Sequence, residues 1–403
     1  MILTLDVGTT AIKVCLFNKE LVLLDKTSEE YNLITEDGYI ELEPDDYWKA
    51  ICSAIGVLGG KNNISDVKAI CITTQGETII PVDKDGKKLH RAVVWLDDRA
   101  GDQAETILSH RTQDEIFETT GVPDMNGAVP LAKLLWFREK KPEIYQNTYK
   151  FLLLEDYLIY RFTGEFVTEK SLLTSTAWYD IYNDTYWTDL LETLNLDQNK
   201  LPQILDCGQE AGLILPEVAS ELGLAEDVKI ITGAMDQIAA AIGGGGLNAG
   251  IVTATIGTAM AITSLLPSAK NYKNTAMPVY RGVTEGQYVV IPYSPTSGAV
   301  FKWFKDEFCK EEIEYSKNNN INIYDYLCSI AKDVPAGANG VIMFPYFAGC
   351  IQPEPIPDAR GVIFGLGLDA DKKTIIKSIL ESVGYMIREN IEMLKSMGID
   401  IKK

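Results

Sequence analysis

Histidine is nearly missing from this chain of 403 residues; there are two, His90 and His110. That argues against a histidine-rich zinc site and leaves few candidates for a histidine-based triad. Each has polar or charged neighbours and reads as a surface residue, so a reaction that needs a general base turns to a carboxylate. Paired cysteines are missing too. The seven (Cys15, Cys52, Cys71, Cys207, Cys309, Cys328 and Cys350) are scattered, odd in number and without a Cys-x-x-Cys, which fits a reducing, cytoplasmic compartment. The first apolar run is broken by Asp6 and Lys13, against a signal peptide, and no run reaches membrane-spanning length. Positive charge is scarce: 37 basic against 57 acidic residues leave −20. DNA and acidic membranes are therefore poor partners. ATP stays compatible, because a local loop with Mg2+ can hold phosphates on an acidic protein.

What is present is ordinary for a globular protein: 46% hydrophobic and 23% charged residues, with enough length for a large core and two domains. The chain opens MILTLDVGTTAIKVCLF. Ile2, Leu3 and Leu5 read as one strand, and Ile12, Val14 and Leu16 alternate as a second. Between them Asp6 leads into Gly8, Thr9 and Thr10. The segment reads either as a plain hairpin or as a cradle whose amides and hydroxyls hold phosphate. Leu21 to Leu24 reads as a third strand. Glu43-Pro44-Asp45-Asp46 starts a helix carrying Tyr47, Trp48, Ile51 and Ile55, with proline just inside its start and acids in its first turn. Val67–Ile72 and Ala92–Trp95 read as further strands, and helical patterns fill residues 100–160. Strands alternating with helices imply an α/β architecture. Asp6, Gln75 and Asp97 all stand where strands end, the place where α/β sheets gather ligands.

Further on, Val228–Thr232 reads as a strand running through Gly233-Ala234-Met235 to Asp236-Gln237 and a small-residue helix, so Asp236 falls near a helix N-terminus. Gly243–Gly246 lacks a following Gly-Lys-Ser/Thr and is no P-loop; it reads as a helix end or hinge. Then the opening pattern recurs. Ile251-Val252-Thr253-Ala254-Thr255-Ile256-Gly257-Thr258-Ala259-Met260 repeats strand, Gly-Thr turn, strand, with Thr255 in the place of Asp6. Two related domains, each offering a Gly-Thr hairpin, favour the phosphate reading, and the single acid suits a metal-bound polyphosphate.

These pieces in this order resemble the FGGY carbohydrate kinases of the actin/hexokinase/Hsp70 superfamily. Asp6–Lys13 is similar to the first phosphate motif, and Gly257-Thr258 to the second. Thr74–Thr78 and Trp95–Arg99 resemble the sugar-site segments. Pro130–Trp136 resembles one family signature, and Gly361–Leu366 with Ser378–Glu381 the other. Gly233–Gln237 looks like the catalytic-aspartate motif. The resemblance implies two actin/hexokinase-like, ribonuclease H-like domains with a cleft between them, 1–242 and 243–403. It implies ATP-dependent phosphorylation of a sugar or polyol hydroxyl, with Asp236 as general base and Asp6 holding Mg2+. Gly8, Thr9, Thr10, Lys13, Gly257, Thr258, Gly298 and Lys302 would serve the nucleotide. Gln75, Gly76, Glu77, Asp97, Asp236 and Gln237 would serve the substrate. The implied partners are a small sugar or polyol and ATP, with a homodimer left open.

The substrate segments are intermediate. Glycerol kinases have arginine where Gly76 stands, followed by an acid as at Glu77. Xylulokinases have Met-His there, and Asp-Asn where this chain has Asp236-Gln237. Ala128 stands in the place of a glycerol-contacting tyrosine. Glycine at 76 leaves room for more than glycerol, so a ketopentose such as xylulose or a linear polyol is expected. The chain stops at Met397–Lys403, where family members continue into an adenine-embracing turn. An incomplete second domain with exposed apolar surface is therefore expected. Three alternatives remain open: a glycerol- or erythritol-type kinase, a catalytically impaired sugar- or nucleotide-binding homologue, and an actin-like ATPase.

Overall fold

The computed structural model describes residues 1–246, 248–266, 277–352 and 355–402. The chain forms two compact units, Met1–Ala240 with Pro278–Tyr288, and Ala241–Met277 with Val289–Lys403. The expected boundary after residue 242 lies close to the observed one. Residues 278–288, however, return to the first unit, an excursion that no shift in composition marks.

The first unit is built on a six-stranded sheet of β1 (Ile2–Val7), β2 (Ala11–Phe17), β3 (Leu23–Glu30), β4 (Ala69–Thr74), β5 (Glu210–Leu213) and β6 (Lys229–Thr232), in the order β5-β6-β4-β1-β2-β3. Strands β1, β4 and β6 run parallel. Their C-terminal ends therefore leave one edge, where Gly8, Gln75 and Gly233 follow. Alternation sets the faces. Leu3, Leu5 and Val7, with Ile12, Val14, Leu16, Ile70 and Ile72, are fully buried. They pack with Tyr47, Ile51 and Ile55 of α1 (Pro44–Gly59). Pro44 opens that helix, and Asp45 and Asp46 sit in its first turn, as expected. Each fully buried isoleucine there contributes about 1.5–3 kcal/mol. A second sheet of short strands, spanning 34–36, 39–42, 79–82, 92–93 and 150–153, flanks it. Three further helices matter for the site: α2 (Pro130–Lys140), α3 (Leu154–Thr163) and the short α4 (Lys170–Leu173). α5 (Asp236–Gly243) starts at the expected aspartate and ends at the first residue of the glycine run.

Four local expectations shift. The third strand runs through Leu23–Glu30 instead of Leu21–Leu24. Leu21 takes a left-handed φ of 59° in the turn and stands 70% exposed. The strand around Val67–Ile72 is Ala69–Thr74, and only Ala92 and Val93 are paired within Ala92–Trp95. His90 is not a surface residue: its ring lies edge-on to Phe137 at 5.2 Å and burial lowers its pKa, whereas His110 is exposed.

In the second unit β7 (Val252–Ile256) and β8 (Met260–Leu266) form the expected antiparallel hairpin, with Ile256 opposite Met260. Val300 and Phe304 of α6 (Gly298–Phe308) pack with Met343 of β9 (Ile342–Phe344) and with Ile376 and Ile379 of α7 (Lys372–Ser396). β9 pairs with β10 (Val362–Phe364), placing Ile342 opposite Phe364 and Phe344 opposite Val362. All four of these side chains are exposed. Cys15, Cys52, Cys71, Cys207, Cys309 and Cys328 are free thiols. Among the described residues no helix is long and apolar enough to cross a membrane.

Candidate active site

The first hairpin turns through Gly8–Ala11, closed by the Gly8 amide on the Ala11 carbonyl at 3.0 Å. Cross-strand register puts Asp6 opposite both Lys13 and Thr73, so the three side chains share a face. Lys13 Nζ lies 3.1 Å from Asp6 Oδ2. Two residues outside the phosphate motif brace the turn. Trp95 Nε1 donates to Thr9 Oγ1 at 3.0 Å, and the Tyr31 hydroxyl donates to the Gly8 carbonyl. Thr10 is exposed.

Asp236 reaches the same edge because β6 runs parallel to β4. A Cβ on Gly233 would stand 1.8 Å from the Ile72 carbonyl oxygen, so only glycine lets this turn press onto β4. Thr73 Oγ1 then donates to the Ala234 carbonyl, and Asp236 opens α5 with the Gln237 amide donating to its Oδ1 at 2.6 Å. The pKa of Asp236 is pushed up to about 6. Burial is the main cause and the Asp6 carboxylate adds to it, while Gln237 and Lys13 oppose. A carboxylate so tuned can take a proton near neutral pH.

Gln75 and Glu77 follow β4. The Gln75 side chain donates to the buried Tyr47 hydroxyl at 3.3 Å, while its Oε1 is buried without a hydrogen-bond partner in the chain. Gln237 Oε1 is in the same condition. Glu77 has a left-handed φ of 68°, uncommon for a residue with a side chain and a feature that gathers at functional sites. Burial raises its pKa and Asp236 adds to the rise, against Lys133 and Ser175. Lys133, on α2, is fully buried, and its Nζ donates to the carbonyls of Val94 (2.9 Å) and Glu77 (3.3 Å). Burial lowers it to about 8. Tyr280, from the returning segment, has its phenol pKa raised by burial and by the charges of Glu77 and Asp236. Neither Lys133 nor Tyr280 had been singled out. The space beside Gly76 is bordered: a Cβ there would lie 3.2 Å from Ser175 Oγ and 3.6 Å from Met235 Sδ.

Asp97 stands apart from this group. Its carboxylate is fully buried and committed to Arg99, 2.7 Å from Nε and from Nη2, and to the Ile40 amide. Burial would raise its pKa, but Arg99 and Ile40 hold it below the usual value. Arg99 is also bound by Glu41 at 2.8 Å. The Asp97 side chain therefore anchors its own loop.

In the second unit the Gly257-Thr258 turn meets the start of α6. The Gly298 amide donates to the Gly257 carbonyl at 2.9 Å, and a Cβ on Gly298 would stand 2.5 Å from that oxygen. Glycine at 298 is what allows this approach. Ser297 Oγ is buried beside it without a partner in the chain. Lys302 is solvent-exposed and paired with Asp306 at 2.6 Å.

Residues 1–243 match the model of the FGGY family of carbohydrate kinases, N-terminal domain, and residues 252–403 that of its C-terminal domain. A gluconokinase from Bacillus subtilis is 26% identical over 384 residues, 95% of this chain and 74% of that protein. A xylulose kinase from the same organism is 26% identical over 400 residues, 98% of this chain and 78% of that protein. The solved structure of a ligand-bound xylulose kinase from Lactobacillus acidophilus aligns at a TM-score of 0.83 with 25% identity, covering 96% of this chain and 77% of that one.

Proposed function

The chain belongs to the FGGY family of carbohydrate kinases, and on that premise we propose that it moves the γ-phosphoryl group of ATP to a hydroxyl of a neutral sugar or polyol, a ketopentose such as xylulose or a linear polyol. The observation that carries this reading is Asp236, its pKa raised to about 6, on the sheet edge that also bears Asp6 and Gln75. Asp236 accepts the proton of the substrate hydroxyl as that oxygen attacks phosphorus. Gly8, Thr9, Thr10 and Lys13, and Gly257, Thr258 and Gly298 in the second unit, serve the phosphates, with Lys302 at the nucleotide. Phosphoryl transfer asks mainly for such positioning and charge. Among the described residues no group of three or more metal-ligating side chains gathers. Magnesium bound with a nucleotide needs only one or two carboxylates, so Asp6 fits as its protein ligand. The ion would offset negative charge on the phosphates.

The acceptor side argues for hydroxyls over a carboxylate. Gln75 Oε1 and Gln237 Oε1 are buried acceptors in want of donors, and Glu77 and Asp236 are further acceptors. The cations on the acceptor segments are committed: Arg99 to Asp97 and Glu41, Lys133 to two carbonyls. A polyhydroxyl ligand supplies the donors, whereas an aldonate would place its carboxylate among acids.

The test is Mg-ATP-dependent ADP release with xylulose, ribulose, arabitol, erythritol, glycerol and gluconate. Release with one of the neutral acceptors is expected. Release with gluconate alone would overturn the neutral-substrate reading, and ATP hydrolysis indifferent to all six would overturn the kinase.

A further inference from the structure

Asp236 is held from behind by a buried polar scaffold that the chemistry above does not use. Each residue of the turn before it has one backbone group fixed by a side chain. The Gly233 amide donates to Glu155 Oε1 at 2.9 Å, the Ala234 carbonyl accepts from Thr73 Oγ1, and the Met235 amide donates to Ser171 Oγ at 3.0 Å. Ser171 has no freedom in this arrangement. Its own hydroxyl proton goes to Glu169 Oε1 at 2.8 Å, which leaves the oxygen lone pair facing Met235. Glu169 is fixed in turn by the amides of Ser171 and Leu172, both at 2.6 Å, and by the Cys207 thiol. Glu155, Glu169 and Ser171 are all fully buried.

Burying two acids together is costly unless they are well bonded. A turn that needed only to be closed would manage with backbone bonds. We propose that Ser171, fixed by Glu169, and Glu155 are positioning residues for Asp236, setting the direction in which its carboxylate leaves the end of β6. The lever is short. Met235 precedes Asp236 directly, so a released Met235 amide lets the first turn of α5 rotate, and a small displacement of a base lowers turnover steeply. The proposal rests on Asp236 being the base, and it makes no claim on substrate identity.

The experiment compares steady-state kinetics of the full chain with four substitutions, using the acceptor sugar identified by the panel. Ser171→Ala removes the acceptor for Met235; kcat is expected to fall about 10–100-fold, with KM for ATP and for the sugar changed less than about threefold. Ser171→Thr restores a hydroxyl and should recover most of the rate. Glu155→Gln keeps an oxygen for Gly233 and should stay close to the parent in kcat, whereas Glu155→Leu should lose turnover as Ser171→Ala does. Should Glu155→Leu fail to fold, the serine pair decides alone. Unchanged kcat in Ser171→Ala, or a loss of thermal stability without a kcat effect, would overturn the proposal. Asp236→Asn run alongside separates the two readings. If it is inactive while Ser171→Ala is fully active, the base stands and the positioning fails; if it is active, the base assignment itself fails.

Discussion

Asp236 carries opposing demands of stability and catalysis. Burial and Asp6 hold its pKa near 6, above the ordinary 3.8. A carboxyl whose pKa is raised by folding stabilises the folded chain while it is protonated, in full below about pH 4, and that contribution is lost as pH rises through about 6. At neutral pH the ionised side chain therefore strains the fold. Asp236→Asn should raise the melting temperature by a few degrees at pH 7 and leave it unchanged near pH 4. The same substitution should lower kcat by about 10²–10⁴-fold. In the parent chain kcat should climb with pH through about 6 as the base ionises. An Asp236→Asn variant that is both inactive and less stable at pH 7 would separate the charge from the strain ascribed to it.

At the scale of elements, Gly233 and Gly298 permit close approaches that a side chain would block. Gly298 lets α6 touch the Gly257-Thr258 turn, and a methyl group there collides with the Gly257 carbonyl at 2.5 Å. Gly298→Ala should push the helix from the hairpin and raise KM for ATP several-fold while KM for the sugar stays put; equal shifts in both would place the helix outside the nucleotide site. Helix α1 carries Tyr47 to Gln75 and Ile51 into the core. Ile51→Ala, at a fully buried position, should cost about 2–5 kcal/mol in denaturant unfolding. The elements most legible in the sequence were those written in adjacent residues: the two Gly-Thr hairpins, the Pro44 helix start, and the acid opening α5. Lys133, Glu155 and Tyr280 were not legible. Their partners lie far along the chain, as the 78-residue separation of Glu155 from Gly233 illustrates, and a buried charge looks like a surface charge until the fold surrounds it. For Asp97 the motif marked a carboxylate but not its pairing, both oxygens being bound by the neighbouring Arg99.

At the scale of the whole molecule, the chain spans about three quarters or more of the curated relatives it matches, and its second unit presents Ile342, Phe344, Val362 and Phe364 on one open face of a two-stranded sheet. Contiguous exposed apolar surface promotes association. Phe344→Ser with Phe364→Ser should therefore lower binding of an apolar fluorescent dye and concentration-dependent scattering; unchanged values would show that this face is covered in solution. The function rests on a narrower point, the partnership of Asp236 with a hydroxylated acceptor. ADP release from Mg-ATP, measured for the parent chain and for Asp236→Asn with xylulose present and absent, tests it most directly. Release by the parent only when the acceptor is present, cut at least about 10²-fold in the variant, is the expected result. Release that ignores the acceptor, or survives the loss of the carboxylate, would contradict a sugar kinase with its base at Asp236.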